Sequence, residues 1–393
     1  MRYLTVDTEC TCLKLHPTKL NGSPFARKNS LTYVGLRTDE GDYLDFSIDY
    51  GEFGYGQSLK KIQELVDEHD CLVGFNIKFD LHWLRRYGIT FKNKRVFDCQ
   101  LAEFILSNQS CPYPSLDVTA EFYGLEGKLD VVKEEYWDKG IDTPDVPKDI
   151  LEEYLEQDLQ LTHQVYLKQV EHLASCSDAL QRLVSLHNSD LLVLQEMEFN
   201  GLTFNEGRCL ENATILEKEI EEIDVNLNRT CSVVGFNFNS GDHLSSLLYG
   251  GVLNFPVKQV IGVYKTGARK GEDKEGWVDY YHTFPQLVAP LKGSELKKEG
   301  FFSTDEQTLK SLKCNKEAKK VVDFILTRST LEKRRGTYFA GFPKLREEHG
   351  WQVNYLHGQL NQCVARTGRL SSSRPNLQNI DGQIKDLFYS RYY

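Results

Sequence analysis

The sequence of 393 residues lacks several features that would assign it to particular classes of protein. Charged residues interrupt its longest apolar runs, so no stretch is long enough to cross a bilayer. A strand pattern begins at Tyr3, where a signal peptide would need an apolar core. The 10 cysteines form no Cys-x-x-Cys pair and have no histidine cluster at zinc spacing beside them. We therefore expect reduced thiols and a soluble, cytoplasmic protein without a membrane partner, located in the host cytoplasm if the source is a virus.

No low-complexity tract or internal repeat is visible either. At roughly 100–200 residues per domain, the length predicts two or three domains, and a hydrophobic content of 40% can fill their cores. The net charge of −10 is unevenly distributed: residues 117–158 contain 14 acids and 4 bases, and residues 310–346 contain 11 bases and 3 acids. A charged face is usually only solvated. Aromatic residues interleave with the basic segment, however, which favours a surface that tracks phosphates.

The first apolar strand pattern ends in two carboxylates, Asp7 and Glu9. Side chains at alternate positions of a strand point to the same face, so these two would project together, as oxygen ligands of a hard divalent cation do. Taken alone, such a pair is more often a solvated strand end. The interpretation as a metal site therefore depends on partners elsewhere in the chain.

Two helix patterns supply candidate partners at a spacing of four residues. After a compact buried strand, a helix is predicted to begin near Asn76 and to carry Asp80 on the same face of its first turn. The helix predicted from Ile150 to Val170 likewise places Tyr154 and Asp158 on one face. Each pattern by itself is typical of an ordinary amphipathic helix.

The order of these motifs resembles that of a known family. Asp-x-Glu on a first strand, Asn-x-x-x-Asp after a central strand and Tyr-x-x-x-Asp on a late helix match the three exonuclease motifs of DEDD nucleases. Residues 1–175 resemble the 3′→5′ exonuclease domain of family A DNA polymerases, in its DEDDy branch. The resemblance implies an α/β, RNase H-like fold in which a mixed sheet is flanked by helices. Strand patterns at Leu31 to Arg37 and Tyr43 to Ile48 predict an antiparallel meander with the first strand.

For the site, the resemblance implies a two-metal centre with Mg²⁺, or with Mn²⁺ in its place. Asp7, Glu9 and Asp158 would bind the first ion, Asp7 and a water-linked Asp80 would serve the second, and Tyr154 with Glu9 would orient the attacking water. Two ions roughly 3.5–4 Å apart stabilise both the attacking and the leaving oxygen of a phosphodiester. Four clustered carboxylates would also repel one another without cations.

Residues 176–348 resemble the connecting helix and the thumb of the same family. A segment around Glu198 matches the family's linker, and apolar spacing from Leu210 to Leu227 predicts a long amphipathic helix, so this region is expected to be mainly helical. Arg328 and Lys333 lie in a segment that resembles the thumb helix along the duplex backbone. Their predicted role is to contact phosphates, which position DNA without reading its sequence.

Residues 257–283 depart from the bacterial members of the family. Strand patterns at Val260 to Thr266 and Trp277 to Thr283 predict a β-hairpin inserted in the thumb. Phage members of the family place elements here that contact DNA or a processivity factor, and either is a possible partner of this insertion. A surface hairpin without a partner is an equally good interpretation. The cations that would face DNA are Lys265, Arg269 and Lys270.

Residues 349–393 contain the longest match, from Arg366 to Ile380. It resembles the Thr-Gly-Arg-Leu-Ser-Ser and Pro-Asn-Leu-Gln-Asn-Ile signature of the family A palm, which implies a partial palm in which Arg369 reaches the minor groove of a primer–template. The implied DNA partners are single-stranded 3′ ends and primer–templates. The other residues assigned to DNA on this resemblance are Asn76, Asn376 and Gln378.

After Phe388 the family would continue into the polymerase aspartates and the fingers helix, which this sequence does not contain. The expected protein is therefore the proofreading exonuclease half of a replicative polymerase, split or truncated, with a second chain supplying the remaining palm and fingers. One alternative is a DNA-binding or regulatory fragment whose nuclease is incidental or silent, which the intact carboxylates disfavour. Another is an RNA-trimming nuclease, which would need neither a thumb nor the palm signature.

Overall fold

The chain folds into two compact units. A computed structural model describes four stretches of it: 1–16, 19–48, 56–127 and 131–391. The first unit combines Met1–Glu206 with the residues from Phe342 onward, and the second is Gly207–Gly341. The domain boundaries predicted at about residues 175 and 348 stay predictions, because a compact unit can join parts of more than one domain.

The first 206 residues form a mixed sheet with helices. Their elements are β1 Tyr3–Cys10, β2 Leu31–Thr38, β3 Tyr43–Ser47, α1 Gly56–Glu68, β4 Cys71–Gly74, α2 Lys78–Arg86, β5 Arg95–Asp98, α3 Cys99–Leu106, α4 Leu116–Phe122, α5 Val131–Glu135, α6 Lys148–Ala174, α7 Asp178–Asn200 and β6 Leu202–Thr203. Within the described residues, the five-stranded sheet has the order β3-β2-β1-β4-β5. The strands β1, β2 and β3 are antiparallel neighbours, and β4 and β5 run parallel to β1. The predicted α/β class and the meander are confirmed.

Helices cover both faces of this sheet. On one face, apolar side chains of β1 pack with α1, α2, α3 and α7. On the other, α6 packs across β1, β2 and β4. Gly35 of β2 lies opposite Asp7 in the strand register, and a Cβ at Gly35 would lie 2.5 Å from Cδ1 of Leu159 and 2.8 Å from Cγ of Leu155. The missing side chain at Gly35 therefore lets α6 approach the part of the sheet that carries Asp7.

The connection from β4 to α2 differs from the prediction. The helix begins at Lys78, and Asn76 precedes it with a left-handed φ of 59°. The amide of Asn76 donates to Oδ1 of Asp98 at 3.1 Å, and Asp98 both ends β5 and caps α3. The sequence pattern does not predict β5, because charged residues at both of its ends leave only Val96 and Phe97 as an apolar signal. The prediction that Asn76 and Asp80 share the first turn of a helix is therefore wrong.

The second unit is mainly helical. Its elements, with the helix that leads into it, are α8 Glu206–Cys231, α9 Gly241–Tyr249, β7 Gly251–Asn254, β8 Val257–Val263, β9 Asp273–Val278, β10 Tyr281–Phe284, α10 Glu306–Ser311 and α11 Lys316–Arg334. A hairpin is present, but its strands differ from the prediction, since β8 pairs with β9 whereas β10 pairs with β7. The first four of the six residues of β9 are Asp273-Lys274-Glu275-Gly276, and their polar composition conceals the strand in the sequence.

The chain after the second unit returns to the first. Its elements are α12 Gly341–Glu348, β11 Tyr355–Leu356, β12 Gln359–Asn361, β13 Ser371–Ser373 and α13 Gly382–Lys385. The strand β11 pairs with β6, and β12 pairs with β13. A further bridge joins Phe204 to Phe388. Among the described helices, none combines the length and the apolar content that a membrane crossing requires.

Candidate metal centre

Three carboxylates converge where β1 faces α6. Asp7 and Glu9 alternate on β1, Asp158 lies on α6, and Gly35 allows the close approach of the helix. One carboxylate oxygen from each of Asp7, Glu9 and Asp158 lies within 4.8 Å of the other two. A set of hard oxygen ligands suits Mg²⁺ or Mn²⁺ better than softer metals. The residues present therefore fit the kind of ion that the sequence resemblance implies.

Asp80 approaches this cluster from α2. It is 3% exposed, and its Oδ1 accepts a hydrogen bond from Oγ1 of Thr8 at 2.6 Å. Burial, and then the charge of Asp7, raise the pKa of Asp80 well above its ordinary range. A cation nearby would favour the ionised form and oppose this rise. The hydrogen bond from Thr8 places Asp80 beside the residue that lies between Asp7 and Glu9 on β1.

Tyr154 lies one helical turn before Asp158 on α6. It is half-buried, and its ring meets that of Trp137 edge-on, with the centroids 6.3 Å apart. A tyrosine hydroxyl can both donate and accept a hydrogen bond, which is what the orientation of a water molecule requires. Tyr154 and Asp158, the two residues of the third sequence motif, thus lie on one face of a single helix.

A loop fixes the end of β1 beside the carboxylates. Oδ1 of Asp142 accepts the backbone N–H groups of Cys12 at 2.7 Å and Leu13 at 3.2 Å. Oγ1 of Thr143 donates to the carbonyl oxygen of Cys10 at 2.6 Å. Burial, followed by nearby carboxylates, raises the pKa of the Cys10 thiol well above its usual range and that of Cys12 to about 12. Both thiols are therefore protonated at neutral pH and serve packing.

Sequence reasoning does not identify the residues that support the centre. Asp98 and Asp142 look like solvated acids in the sequence, although the structure buries both and uses them as acceptors of backbone N–H groups. Thr8 looks like a spacer between two carboxylates. Only Gly35 offers a signal, since a glycine inside an apolar strand often marks a close approach.

A cavity of about 690 Å³ lies beside α2 within the first unit. Asn76 lines it, together with Lys78, Phe79 and His82 of α2. Its other walls include side chains that can stack on or hydrogen-bond to nucleobases and phosphates. Among these are Phe25, Gln100, Tyr113, Trp351, Asn361 and Arg374.

Glu198 of α7 lines this cavity and accepts hydrogen bonds from neighbouring elements. Its Oε1 accepts hydrogen bonds from Nζ of Lys78 at 2.7 Å and from the amide of Leu360 at 2.5 Å. Its Oε2 lies 2.9 Å from Nε2 of His82, and Lys78 also donates to the carbonyl of Leu360 at 2.7 Å. Burial alone would raise the pKa of Glu198, but the bond from His82 and the charge of Lys78 bring it below its ordinary value.

The predicted phosphate contacts of the second unit differ in exposure. Arg328 is buried, and its guanidinium donates to Asp224 through Nε at 2.5 Å and to Asn239 through Nη1 at 2.7 Å. The guanidinium also lies over the ring of Phe238, 5.5 Å from its centroid. These contacts favour a role in holding the unit together over a contact with DNA. Lys333, on the same helix, is exposed.

The predicted DNA contacts of the tail are exposed on a tightly turned segment. Arg369, Asn376 and Gln378 all lie at the surface. Oδ1 of Asn376 accepts the amide of Gln378 at 3.0 Å, and Nε2 of Gln378 donates to the carbonyl of Leu370 at 3.0 Å. Asn76 is also exposed, but it lines the cavity of the first unit instead.

Comparisons with known proteins match both ends of the chain. The family described as 3'-5' exonuclease matches residues 1–174, and the family described as DNA polymerase family A matches residues 283–391. DNA polymerase I of Bacillus subtilis is 26% identical over 303 residues, which are 77% of this chain and 29% of that protein. DNA polymerase I of Borreliella burgdorferi is 24% identical over 391 residues, which are 98% of this chain and 36% of that protein.

A solved structure shares the fold across nearly the whole chain. It is the POL domain of Pol1 from M. smegmatis in complex with DNA primer-template and dNTP, with a TM-score of 0.62 and 17% sequence identity over 98% of this chain and 54% of that one. Together, the matches over residues 1–174 and 283–391 support a fragment of a family A DNA polymerase with a 3'-5' exonuclease domain. The chain spans about a third of the length of the curated DNA polymerase I relatives that match most of it.

Proposed function

We propose that this chain is a DEDDy 3′→5′ exonuclease that uses Mg²⁺ to remove nucleotides from DNA 3′ ends and releases nucleoside monophosphates. The observation that carries the proposal is the convergence of Asp7, Glu9 and Asp158 at the sheet. Asp80 is hydrogen-bonded to the intervening Thr8, and Tyr154 lies one helical turn before Asp158. Each of these carboxylates, like Tyr154, belongs to one of the three exonuclease motifs of the sequence. The family match over residues 1–174 supports the same activity.

The four carboxylates would hold two divalent ions, with Mn²⁺ as a substitute for Mg²⁺. Asp7, Glu9 and Asp158 would bind one ion, and Asp7 with Asp80 would serve the other. Bound there, the ions would supply Lewis-acid stabilisation of the attacking and leaving oxygens. The hydroxyl of Tyr154 and the carboxylate of Glu9 would orient the attacking water in line with the scissile bond.

Single-stranded 3′ ends and primer–templates are the proposed substrates. The cavity beside α2 offers aromatic rings and amides to unpaired bases, and Asn76 at its edge precedes the helix that carries Asp80. Arg369, with Asn376 and Gln378, would contact a primer–template, and Lys333 would contact phosphates. The DNA named in the description of the M. smegmatis complex supports a DNA substrate.

Polymerisation is proposed only for a larger assembly. The chain covers about a third of the length of its DNA polymerase I relatives, so the activity of a whole polymerase is proposed only together with further parts. A second chain would supply the remaining palm and fingers in the replicative enzyme, and a processivity factor could join at the β8–β9 hairpin. Primer extension by the purified chain alone would contradict this proposal. A cytoplasmic location stays a prediction.

Loss of the paired acids on β1 tests the exonuclease. We expect the double variant Asp7→Asn/Glu9→Gln to lose at least about 1,000-fold in digestion, because each proposed ion would then keep only one carboxylate ligand, Asp158 or Asp80. Digestion is measured on a 5′-labelled single-stranded DNA and on a primer with mismatched 3′ bases, with and without Mg²⁺. A matched RNA strand distinguishes a DNA exonuclease from an RNA-trimming enzyme.

The control removes the same two charges from an exposed helix face. The variant Asp117→Asn/Glu121→Gln on α4 should digest DNA like the wild type. Retained digestion by Asp7→Asn/Glu9→Gln would contradict the proposal. Absence of digestion by the wild type with Mg²⁺ or Mn²⁺, together with normal DNA binding, would favour the silent DNA-binding fragment.

A further inference from the structure

Thr8 lies between Asp7 and Glu9 in the sequence, but its side chain serves a different carboxylate. Residues alternate across a strand, so Thr8 projects from the face opposite to its two neighbours. Its hydroxyl donates to Oδ1 of Asp80 at 2.6 Å, and Thr8 and Asp80 are 7% and 3% exposed. A short hydrogen bond from a buried hydroxyl to a carboxylate belongs to the stronger kind. Thr8 therefore joins the central strand directly to α2.

The local backbone explains why Thr8 meets Asp80. The strand β4 pairs with β1 only from Tyr3 to Thr5 and ends at Gly74, so the later part of β1 has no pairing with β4. The chain then turns through the left-handed Asn76 and enters α2, which brings Asp80 beside Thr8. The carboxylate arrives next to the like charge of Asp7. A hydrogen bond from a buried donor favours one orientation of such a carboxylate.

We propose that Thr8 is a positioning residue of the metal centre, and that its hydroxyl fixes the Asp80 carboxylate where, with Asp7, it takes up the second divalent ion. The inference rests on the two-metal exonuclease proposed above. Hydrogen-bond partners that orient metal ligands typically change metal affinity or activity by roughly 10–100-fold when they are removed. Thr8 would therefore act selectively on one ion, whereas a purely structural threonine would affect only stability.

The chain contains a matched control on the same strand. Thr5 is fully buried on β1, and within the described residues its Oγ1 has no hydrogen-bond partner. The change Thr5→Val replaces a buried hydroxyl by a methyl group, as Thr8→Val does, but it leaves the hydrogen bond to Asp80 intact. The change Thr8→Ser keeps the donor and removes only a methyl group. These variants separate the effect of the hydrogen bond from the effect of an altered strand.

Mn²⁺ binding to the full chain without DNA is the measurement, with free Mn²⁺ followed by electron paramagnetic resonance. We expect the wild type to bind two ions, and Thr8→Val to weaken one of them roughly 10–100-fold while the other is unchanged. Thr8→Ser and Thr5→Val should bind like the wild type. In digestion assays, Thr8→Val should need correspondingly more Mg²⁺ to reach half of its maximal rate.

Two ions bound by Thr8→Val with wild-type affinities would overturn the inference, and so would equal weakening of both ions or the same weakening in Thr5→Val. If thermal melting shows that Thr8→Val does not fold, Thr8→Ala carries the same prediction. If Thr8→Val binds Mn²⁺ like the wild type and the wild type digests DNA, the inference about Thr8 is wrong but the proposed function stands. A wild type that binds no Mn²⁺ and digests no DNA defeats the proposed function as well.

Discussion

The candidate metal centre and the β8–β9 hairpin both contain charged residues, but those of the centre are largely buried and those of the hairpin are exposed. Glu9 and Asp80 at the centre are 6% and 3% exposed, on a central strand and on a helix packed against it. Nearly all of the hairpin is exposed, and even Trp277 is 70% exposed. A buried charge is costly unless it has partners, whereas an exposed charge has little structural consequence. The fold therefore constrains the chemistry of the centre and leaves that of the hairpin open.

Two ion pairs make the contrast concrete. The Lys78–Glu198 pair in the wall of the cavity has side chains 16% and 4% exposed, and it also binds the backbone N–H and the backbone carbonyl of Leu360. The Lys258–Glu275 pair of the hairpin has side chains 57% and 55% exposed. The first pair couples α2 to α7 and to β12, but the second joins only two strands of one hairpin. Substitutions at buried and exposed pairs should therefore differ by several kcal/mol.

The largest effect is expected at Glu198. The change Glu198→Ala removes the acceptor of the Leu360 amide and the carboxylate paired with the Lys78 ammonium, which keeps its bond to the Leu360 carbonyl. Breaking a buried pair in this way costs about 3–5 kcal/mol. The measurement is the free energy of unfolding from urea titration at neutral pH. Glu198→Gln, which retains an acceptor oxygen, should lose less than Glu198→Ala.

A surface pair provides the control for this prediction. Lys61 and Glu64 lie 3.4 Å apart on α1, with side chains 53% and 46% exposed. The change Glu64→Ala should alter the free energy of unfolding by no more than about 1 kcal/mol. If Glu198→Ala proved as mild as Glu64→Ala, the contrast between buried and exposed pairs would not hold for this chain.

A pH-dependent effect is expected at Asp98. Burial raises its pKa to about 6, although the N–H groups of Asn76, Gln100 and Leu101 favour the ionised form. Because the folded pKa exceeds the unfolded value of about 3.9, folding takes up a proton between these values, and stability falls as pH rises from about 4 to 6. The full loss, present above pH 6, amounts to at most about 3 kcal/mol.

The change Asp98→Asn should remove this dependence, because an amide cannot ionise and its oxygen can still accept the three N–H groups. Relative to wild type, the free energy of unfolding of Asp98→Asn should rise by up to about 3 kcal/mol between pH 4 and pH 7. Asp117→Asn, on an exposed part of α4, should show no such trend. Parallel pH curves for Asp98→Asn and wild type would contradict the prediction.

The approach of α6 to the sheet should depend on Gly35. A Cβ in Gly35→Ala would lie 2.5 Å from Cδ1 of Leu159 and 2.8 Å from Cγ of Leu155, so the helix must shift. Overpacking of this kind typically costs about 1–3 kcal/mol. Since Asp158 and Tyr154 move with the helix, digestion should also fall, on the order of 100-fold for a displacement of about 1 Å.

Gly56→Ala is the matched control, since a Cβ at Gly56 of α1 meets nothing within 4 Å. It should digest DNA like the wild type. A variant Gly35→Ala that unfolds and digests like the wild type would show that the sheet tolerates a side chain opposite Asp7. The closeness of α6 would then not be what assembles the centre.

Strand patterns predict the meander, because alternation is a local signal. The resemblance to the family implies the α/β class and the carboxylates of the candidate centre. Sequence patterns do not predict β5, which has only two apolar residues between an arginine and an aspartate. They also do not predict the full extent of β9, whose polar residues hide its alternation. The helix pattern places Asn76 inside a helix, although Asp98 holds it in a left-handed turn before α2. The misplacement of Asn76 arises because a contact distant in sequence overrides local preference.

The same cause limits what the sequence reveals about the site. Asp7, Glu9 and Asp158 can be found from motif spacing, but the roles of Thr8 and Gly35 exist only once α2 and α6 have packed on the sheet. Arg328 illustrates the opposite error. Its position in a basic helix suggests a phosphate contact, whereas the structure pairs it with Asp224 in the interior of the second unit. Charge patterns alone cannot distinguish an internal ion pair from a surface that binds DNA.

The smallest effect on stability is expected in the hairpin. Arg269 and Lys270 lie in the exposed loop between β8 and β9. The double variant Arg269→Glu/Lys270→Glu should change the free energy of unfolding by no more than about 0.5 kcal/mol, because surface substitutions away from buried contacts are usually neutral. Urea titration measures this change. The control in the same unit is Lys292→Glu/Lys297→Glu, whose residues are also exposed.

DNA affinity as a function of salt then decides what the hairpin does, when measured without divalent cations so that the DNA stays intact. If both cations contact phosphates, the slope of log affinity against log salt should fall by about 2 in Arg269→Glu/Lys270→Glu and stay constant in the control. An unchanged slope would remove DNA as the partner of this loop. The exposed apolar face with Trp277 would then be the part of the hairpin left for a processivity factor, because a partner protein needs apolar area more than it needs these charges.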